Sequence, residues 1–199
     1  MTSLLEKLGS LEDALAGASI PHAFGGALAL AFCIHEPRAT VDIDVNVFLP
    51  VADADQLLWA LPAGVEWGDE DRALLLRDGQ ARLWWASTPI DVFLSTTDFH
   101  RGAADRCRVD AVGERSFPFL SCRDLAVFKA FFNRRKDWAD LEAMLVADAL
   151  DLDSVVGVLA RYLGPDDQRI AQLLEISTSL PDPDAPPPRF GAPETRPAP

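Results

Sequence analysis

Residues 38–50, RATVDIDVNVFLP, place Asp42 and Asp44 in a stretch whose alternate positions, Val41, Ile43, Val45, Val47 and Leu49, are apolar. That period of two predicts a strand over residues 41–49, with Asp42, Asp44, Asn46 and Phe48 on the opposite face. Side chains two apart on a strand point the same way, so the two carboxylates project together. Aspartate is disfavoured in strands, and neighbouring like charges repel unless something positive compensates them. One reading is a solvent-facing strand edge. The other is a site for Mg²⁺ or Mn²⁺, hard cations that take oxygen ligands from one or two carboxylates and keep further positions for phosphate and water.

Two features flank this stretch. Upstream, Gly25-Gly26 lies between a short expected strand, residues 20–24, and the apolar helix ALALAFCIHE, which Pro37 ends. A glycine pair there is either a tight turn or a place where backbone amides at a helix start approach a phosphate. The GxxxxGK[ST] pattern is absent, which excludes a P-loop. Downstream, Asp91 in PIDVFLS is a third aspartate near the start of an apolar strand. It is either a residue following a proline turn or a third carboxylate brought beside the other two. Three converging carboxylates suit a two-cation phosphoryl-transfer site.

The rest of the chain supplies the frame. Residues 3–18 carry leucines at helical spacing, and a short helix is expected over residues 53–60. RALLLRDGQARLWWAST reads as two strands joined at Asp78-Gly79, and RVDAVGERSFPFL as short strands around Gly113. The expected fold class is mixed α/β (α+β), a sheet of about four or five strands flanked by helices. CRDLAVFKAFFNRRKD, WADLEAMLVAD and LDSVVGVLARYLG then read as helices, the first capped by Ser121. The division expected is an α/β core over residues 1–120, a helical segment packed on it over 121–178, and a disordered proline-rich tail over 179–199.

Composition narrows the function classes. The chain has 199 residues, 49% of them apolar, enough for one good core. A formal net charge of −13 argues against nonspecific binding to DNA or anionic membranes, both of which rest on accumulated positive charge. With no membrane-length apolar run and an N-terminus unlike a secretory signal, the expectation is a soluble, cytoplasmic protein. Cys33, Cys107 and Cys122 show neither CxxC spacing nor neighbouring histidines, so reduced thiols are expected. His22, His35 and His100 are too dispersed for a metal set or a nucleophilic triad.

The ordered series FGGALAL, RATVDIDV and PIDVFLS resembles the nucleotidyltransferase superfamily with the polymerase-β-like fold. Arg38 and Thr40, ahead of the aspartates, match a variant common in bacterial members, and DLAVFKAFFNRRKDWADLEAML resembles the helical segment of the AbiEii-type toxin branch. Ala27 departs from the pattern, standing where many members have serine. The resemblance implies transfer of NMP from an NTP to an acceptor hydroxyl on RNA or tRNA, a protein or a small molecule, in a toxin-antitoxin or phage-defence setting with a possible antitoxin partner. It also implies Asp42, Asp44 and Asp91 as metal ligands, and Gly25, Gly26, Arg38 and Thr40 at the nucleotide. Lys129 would contact the triphosphate, and Asp137 or Asp140 would complete the site. By the residues alone, Lys129 is equally a solvent-facing helix residue, and Asp137 and Asp140 a helix cap and first-turn charge. Arg134, Arg135 and Lys136 form a basic run that is either solvated or turned to phosphate.

Overall fold

The computed structural model describes residues 2–180; the expected disordered tail lies, from Pro181 on, outside them. Helix α1 (Leu4–Gly17) is opened by a Ser3–Glu6 capping box and buries Leu8, Leu11 and Leu15. Strand β1 (His22–Phe24) leads through Gly25 into α2 (Gly26–Ile34), and β2 (Ile43–Pro50) carries Asp44. A 3₁₀ turn, α3 (Ala54–Ala60) and α4 (Asp69–Asp78) follow, then the hairpin β3 (Gln80–Trp85) and β4 (Thr88–Ser95). Helix α5 (Asp98–Gly102) and a second hairpin, β5 (Arg108–Val112) with β6 (Arg115–Phe119), complete the sheet. Four helices end the described chain: α6 (Cys122–Phe132), α7 (Arg135–Val146), α8 (Leu152–Leu163) and α9 (Gln168–Ser179).

The architecture is a mixed α/β sheet of six strands flanked by helices, in the order β3-β4-β2-β1-β6-β5. β2 runs parallel to β4 and antiparallel to β1, and β1 runs parallel to β6. Helices pack on the sheet, so the central strands bury residues of both faces: Val45 and Val47 on one, Asn46 and Phe48 on the other. Leu125, Ala126, Val127 and Ala130 of α6 belong to the same apolar cluster as Ile43, Ile90 and Phe117 of the sheet. α6 is thereby held against the strands that carry the aspartates.

Four expectations change. Residues 72–78 are not a strand but the end of α4, and Gly79, at φ +69°, is its C-cap rather than a hairpin turn. The triple leucine of this segment fits a buried strand or a helix; three acidic residues in the first turn, Asp69, Glu70 and Asp71, favour the helix. The β3–β4 hairpin turns instead at residues 86–87, with Ala86 at φ +52°. The sheet has six strands because the segment around Gly113 forms a full hairpin. The strand at the aspartates begins at Ile43, leaving Asp42 just ahead of it and Val41 76% exposed. Finally, Cys33 and Cys122 form a disulfide with their Cα atoms 5.5 Å apart. They lie 89 positions apart in sequence, so no local spacing announces it; the packing of α2 against α6 brings them together. Cys107 remains a free thiol, and burial raises its pKa to about 11.

Candidate active site

The site begins where β1 turns into α2. The Gly25 amide donates to the Asp44 carbonyl at 2.9 Å, tying the turn to the aspartate strand. A Cβ on Gly25 would lie 2.8 Å from the Asn46 carboxamide nitrogen. Gly26 has φ +55°, a region open to glycine and costly for most other residues, and a Cβ there would overlap Oδ2 of Asp44. The turn lacks side chains because the Asn46 carboxamide and the Asp44 carboxylate occupy the space they would need. The first amides of α2, which have no partner within the helix, are the groups by which such a turn holds an anion.

Parallel pairing of β2 with β4 sets Asp44 directly beside Asp91. Burial, then the charges of Asp42 and Asp91, push the Asp44 pKa up to about 6, opposed by Lys129 and Lys136. The pocket is therefore richer in negative charge than its own cations compensate. Among the described residues, no three His, Cys, Asp or Glu side chains are gathered into a ready-made metal cluster. One or two carboxylates with phosphate and water make a sufficient set for a hard cation, and the unrelieved charge on Asp44 is what such an ion would neutralise.

The neighbouring carboxylates already have partners. The Thr40 hydroxyl donates to the Asp42 carboxylate. Arg82, cross-strand from Asp91 on β3, donates to it through Nε at 2.7 Å and Nη2 at 2.6 Å, and Asp91 raises the Arg82 pKa in return. Sequence reasoning missed Arg82, because it paired the strand after Gly79 with residues 72–78 and so did not set residue 82 opposite residue 91.

Lys129 is only 6% exposed, which settles its side of α6: it faces the interior and not solvent. Its ammonium lies 2.6 Å from Asp140 and 4.0 Å from Asp137. Arg38 pairs with Asp140 at 3.4 Å, and Arg134 with Asp137 at 2.6 Å. Asp137, 1% exposed, also accepts from the Arg134 backbone in the capping box that opens α7. These five residues form one chain of ion pairs, Arg38–Asp140–Lys129–Asp137–Arg134, closing the side of the cleft. Its members come from the loop before β2, from α6 and from α7, and of the residues expected at the site Gly26, Asp44, Lys129 and Asp137 line one cleft. Lys129 and Arg134 line it together with Gly26, Asp44 and Asn46. Asp137 and Asp140 face these cations and not the other carboxylates.

The sequence matches no protein-family profile and no curated protein. By structure the chain is similar to an antigenic nucleotidyltransferase-like protein from Paracoccidioides brasiliensis, with TM-score 0.48, 13% identity and coverage of 84% of this chain and 85% of that one. It is also similar to a putative nucleotidyltransferase from H. pylori, with TM-score 0.45, 13% identity and coverage of 87% and 90%. A third is JHP933 from Helicobacter pylori, with TM-score 0.42, 13% identity and 87% of both chains. At such identities and scores the likeness carries no inference about this chain's chemistry.

Proposed function

We propose that this chain is a divalent-metal-dependent nucleotidyltransferase that moves an NMP from an NTP to an acceptor hydroxyl and releases pyrophosphate. One observation carries the reading: Gly26 is fitted to the Asp44 carboxylate, so the phosphate-cradling turn and the acidic strand are built as one piece. Asp44, joined by Asp42 or Asp91 once Thr40 or Arg82 releases it, would hold Mg²⁺ or Mn²⁺, which when bound supplies positive charge against the phosphates and the attacking oxygen.

The residues around that position have separable tasks. The amides at the start of α2 orient phosphate oxygens, and Lys129 and Arg134 add positive charge on the facing wall. Lys129 is held by Asp137 and Asp140, so its ammonium is positioned before any ligand arrives and no rotamer search is needed. Asp91 is the candidate to take the acceptor proton, but Arg82 occupies both of its oxygens, and the guanidinium must swing out first. Arg82 is half-exposed and free to do so. The acceptor classes remain RNA or tRNA, a protein hydroxyl and a small molecule. The toxin-like role and an antitoxin partner rest on the sequence resemblance.

A second reading has an observation of its own. The two bonds from Arg82 to Asp91 are what a catalytically silent nucleotide-binding module would retain after losing turnover. Incubation with each α-³²P-labelled NTP, Mg²⁺ or Mn²⁺, and RNA or cell lysate separates the two. Label in a discrete RNA or protein band with the wild type, absent with Asp42→Ala/Asp44→Ala, supports transfer. NTP binding with no product, in both wild type and Arg82→Ala, with chromatographic search for small labelled products also negative, supports the silent module.

A further inference from the structure

The acidic cleft does not end at Asp44. Two residues further along β2 and β4, on the same face, stand Asn46 and Phe93, and beyond them lies a second cavity of about 170 Å³. The two spaces share Asn46, Phe93, Phe128 and Phe132, so they are successive compartments of one cleft between the sheet and α6. The first compartment is polar and charged. The second carries four phenylalanine rings together with the polar side chains of Asp78, Gln80, Thr96, Thr97 and His100.

The chemistry of the second compartment is specific. Phe93 and Phe132 lie with ring centroids 5.5 Å apart at 59°, offering faces and edges to a planar guest. His100 is 4% exposed and its Nε2 has no hydrogen-bond partner, although Phe48 and Phe128 hold its ring edge-on. Burial holds its pKa down at about 4, so the imidazole is neutral near pH 7. A neutral imidazole has one N–H and one acceptor nitrogen, and here Nε2 is left without a partner. Unpaired buried polar atoms of this kind are rare and costly, and the polar edge of a ligand would satisfy it. A volume of 170 Å³ admits on the order of ten water-sized positions, close to the heavy-atom count of a purine.

We propose that this phenylalanine-walled compartment is the nucleobase pocket of the cleft and selects purine nucleotides, with the Phe93–Phe132 pair packing against one side of the base and His100 Nε2 hydrogen-bonding its edge. This rests on the nucleotide reading of the first compartment, so the test must fail separately for each. Binding of ATP, GTP, CTP, UTP and inorganic tripolyphosphate is measured by calorimetry in Mg²⁺ for wild type, Phe132→Ala and His100→Phe, with thermal unfolding to verify that each variant is folded. His100→Phe retains an aromatic ring between Phe48 and Phe128 and removes the nitrogen. The expected result is purine nucleotides binding at least tenfold more tightly than pyrimidine ones. Phe132→Ala should weaken purine binding about tenfold, the scale of one base stacked on an aromatic ring, and tripolyphosphate by less, since Phe132 also borders the phosphate compartment and stacks on Arg134. His100→Phe should compress the preference among the four bases. Tripolyphosphate binding as tightly as every NTP, with neither variant altering it, overturns the base pocket and leaves the phosphate site standing. No binding of any NTP or of tripolyphosphate overturns both.

Discussion

Gly26→Ala isolates the fit between the glycine turn and the acidic strand. At φ +55° an alanine carries the left-handed penalty of about 1–2 kcal/mol. Its Cβ would also overlap Asp44 Oδ2, so either the carboxylate swings away or the turn opens. Forced overpacking of this kind adds roughly 2 kcal/mol, and the single variant should lose about 3–4 kcal/mol of stability in all. In an Asp44→Ala background the overlap is gone and the backbone strain alone remains, so the same substitution should cost about 1–2 kcal/mol. The coupling energy of the cycle is then about 2 kcal/mol, within the range for residues in contact. Urea unfolding of the four proteins measures it, provided the slope with denaturant is common to all. The change that Asp44→Ala makes by itself cancels in the cycle. An equal cost of Gly26→Ala in both backgrounds would refute the claim that the carboxylate dictates the glycine.

Three further outcomes follow from the site and its supports. Asp44 titrates in the folded chain at about 6, above its ordinary 3.8, so between those values the folded state keeps a proton the unfolded state has lost, and stability falls as pH rises through that window. Asp44→Asn should remove this loss and gain about 2–3 kcal/mol on wild type between about pH 4 and pH 7 in EDTA; a difference that stays constant with pH sinks the assignment. Lys129→Met removes the buried cation shared by Asp137 and Asp140 and should cost about 3 kcal/mol in denaturant unfolding, whereas a neutral result would mean that solvent and Arg38 and Arg134 suffice. Cys33→Ala/Cys122→Ala opens a loop closed across 89 residues and should cost about 4 kcal/mol. Dithiothreitol should lower the wild-type melting temperature and leave the double variant unmoved; equal melting of wild type with and without reductant counts against the bond.

The local signals were largely legible. Leucines at helical spacing marked α1, Ser121 marked the start of α6, where its hydroxyl accepts from the Asp124 amide, and Gly113 marked the turn between β5 and β6. Each depends on residues within a few positions of one another, where backbone preference and side-chain period act directly. The 72–78 segment was misread because a run of leucines has no period of its own. The disulfide was missed because its two halves meet through helix packing and not through spacing.

Within the site, residue order alone sets which positions carry charge or lack a side chain, and strand periodicity sends the side chain of Asp44 to the same face as that of Asn46. Their partners are chosen by the folded chain as a whole. Strand register put Asp91 beside Asp44 and Arg82 opposite Asp91, and the packing of α6 turned Lys129 inward to Asp140. Register and helix orientation are chosen by the burial of apolar faces across the whole sheet, a sum over distant residues that no short stretch contains.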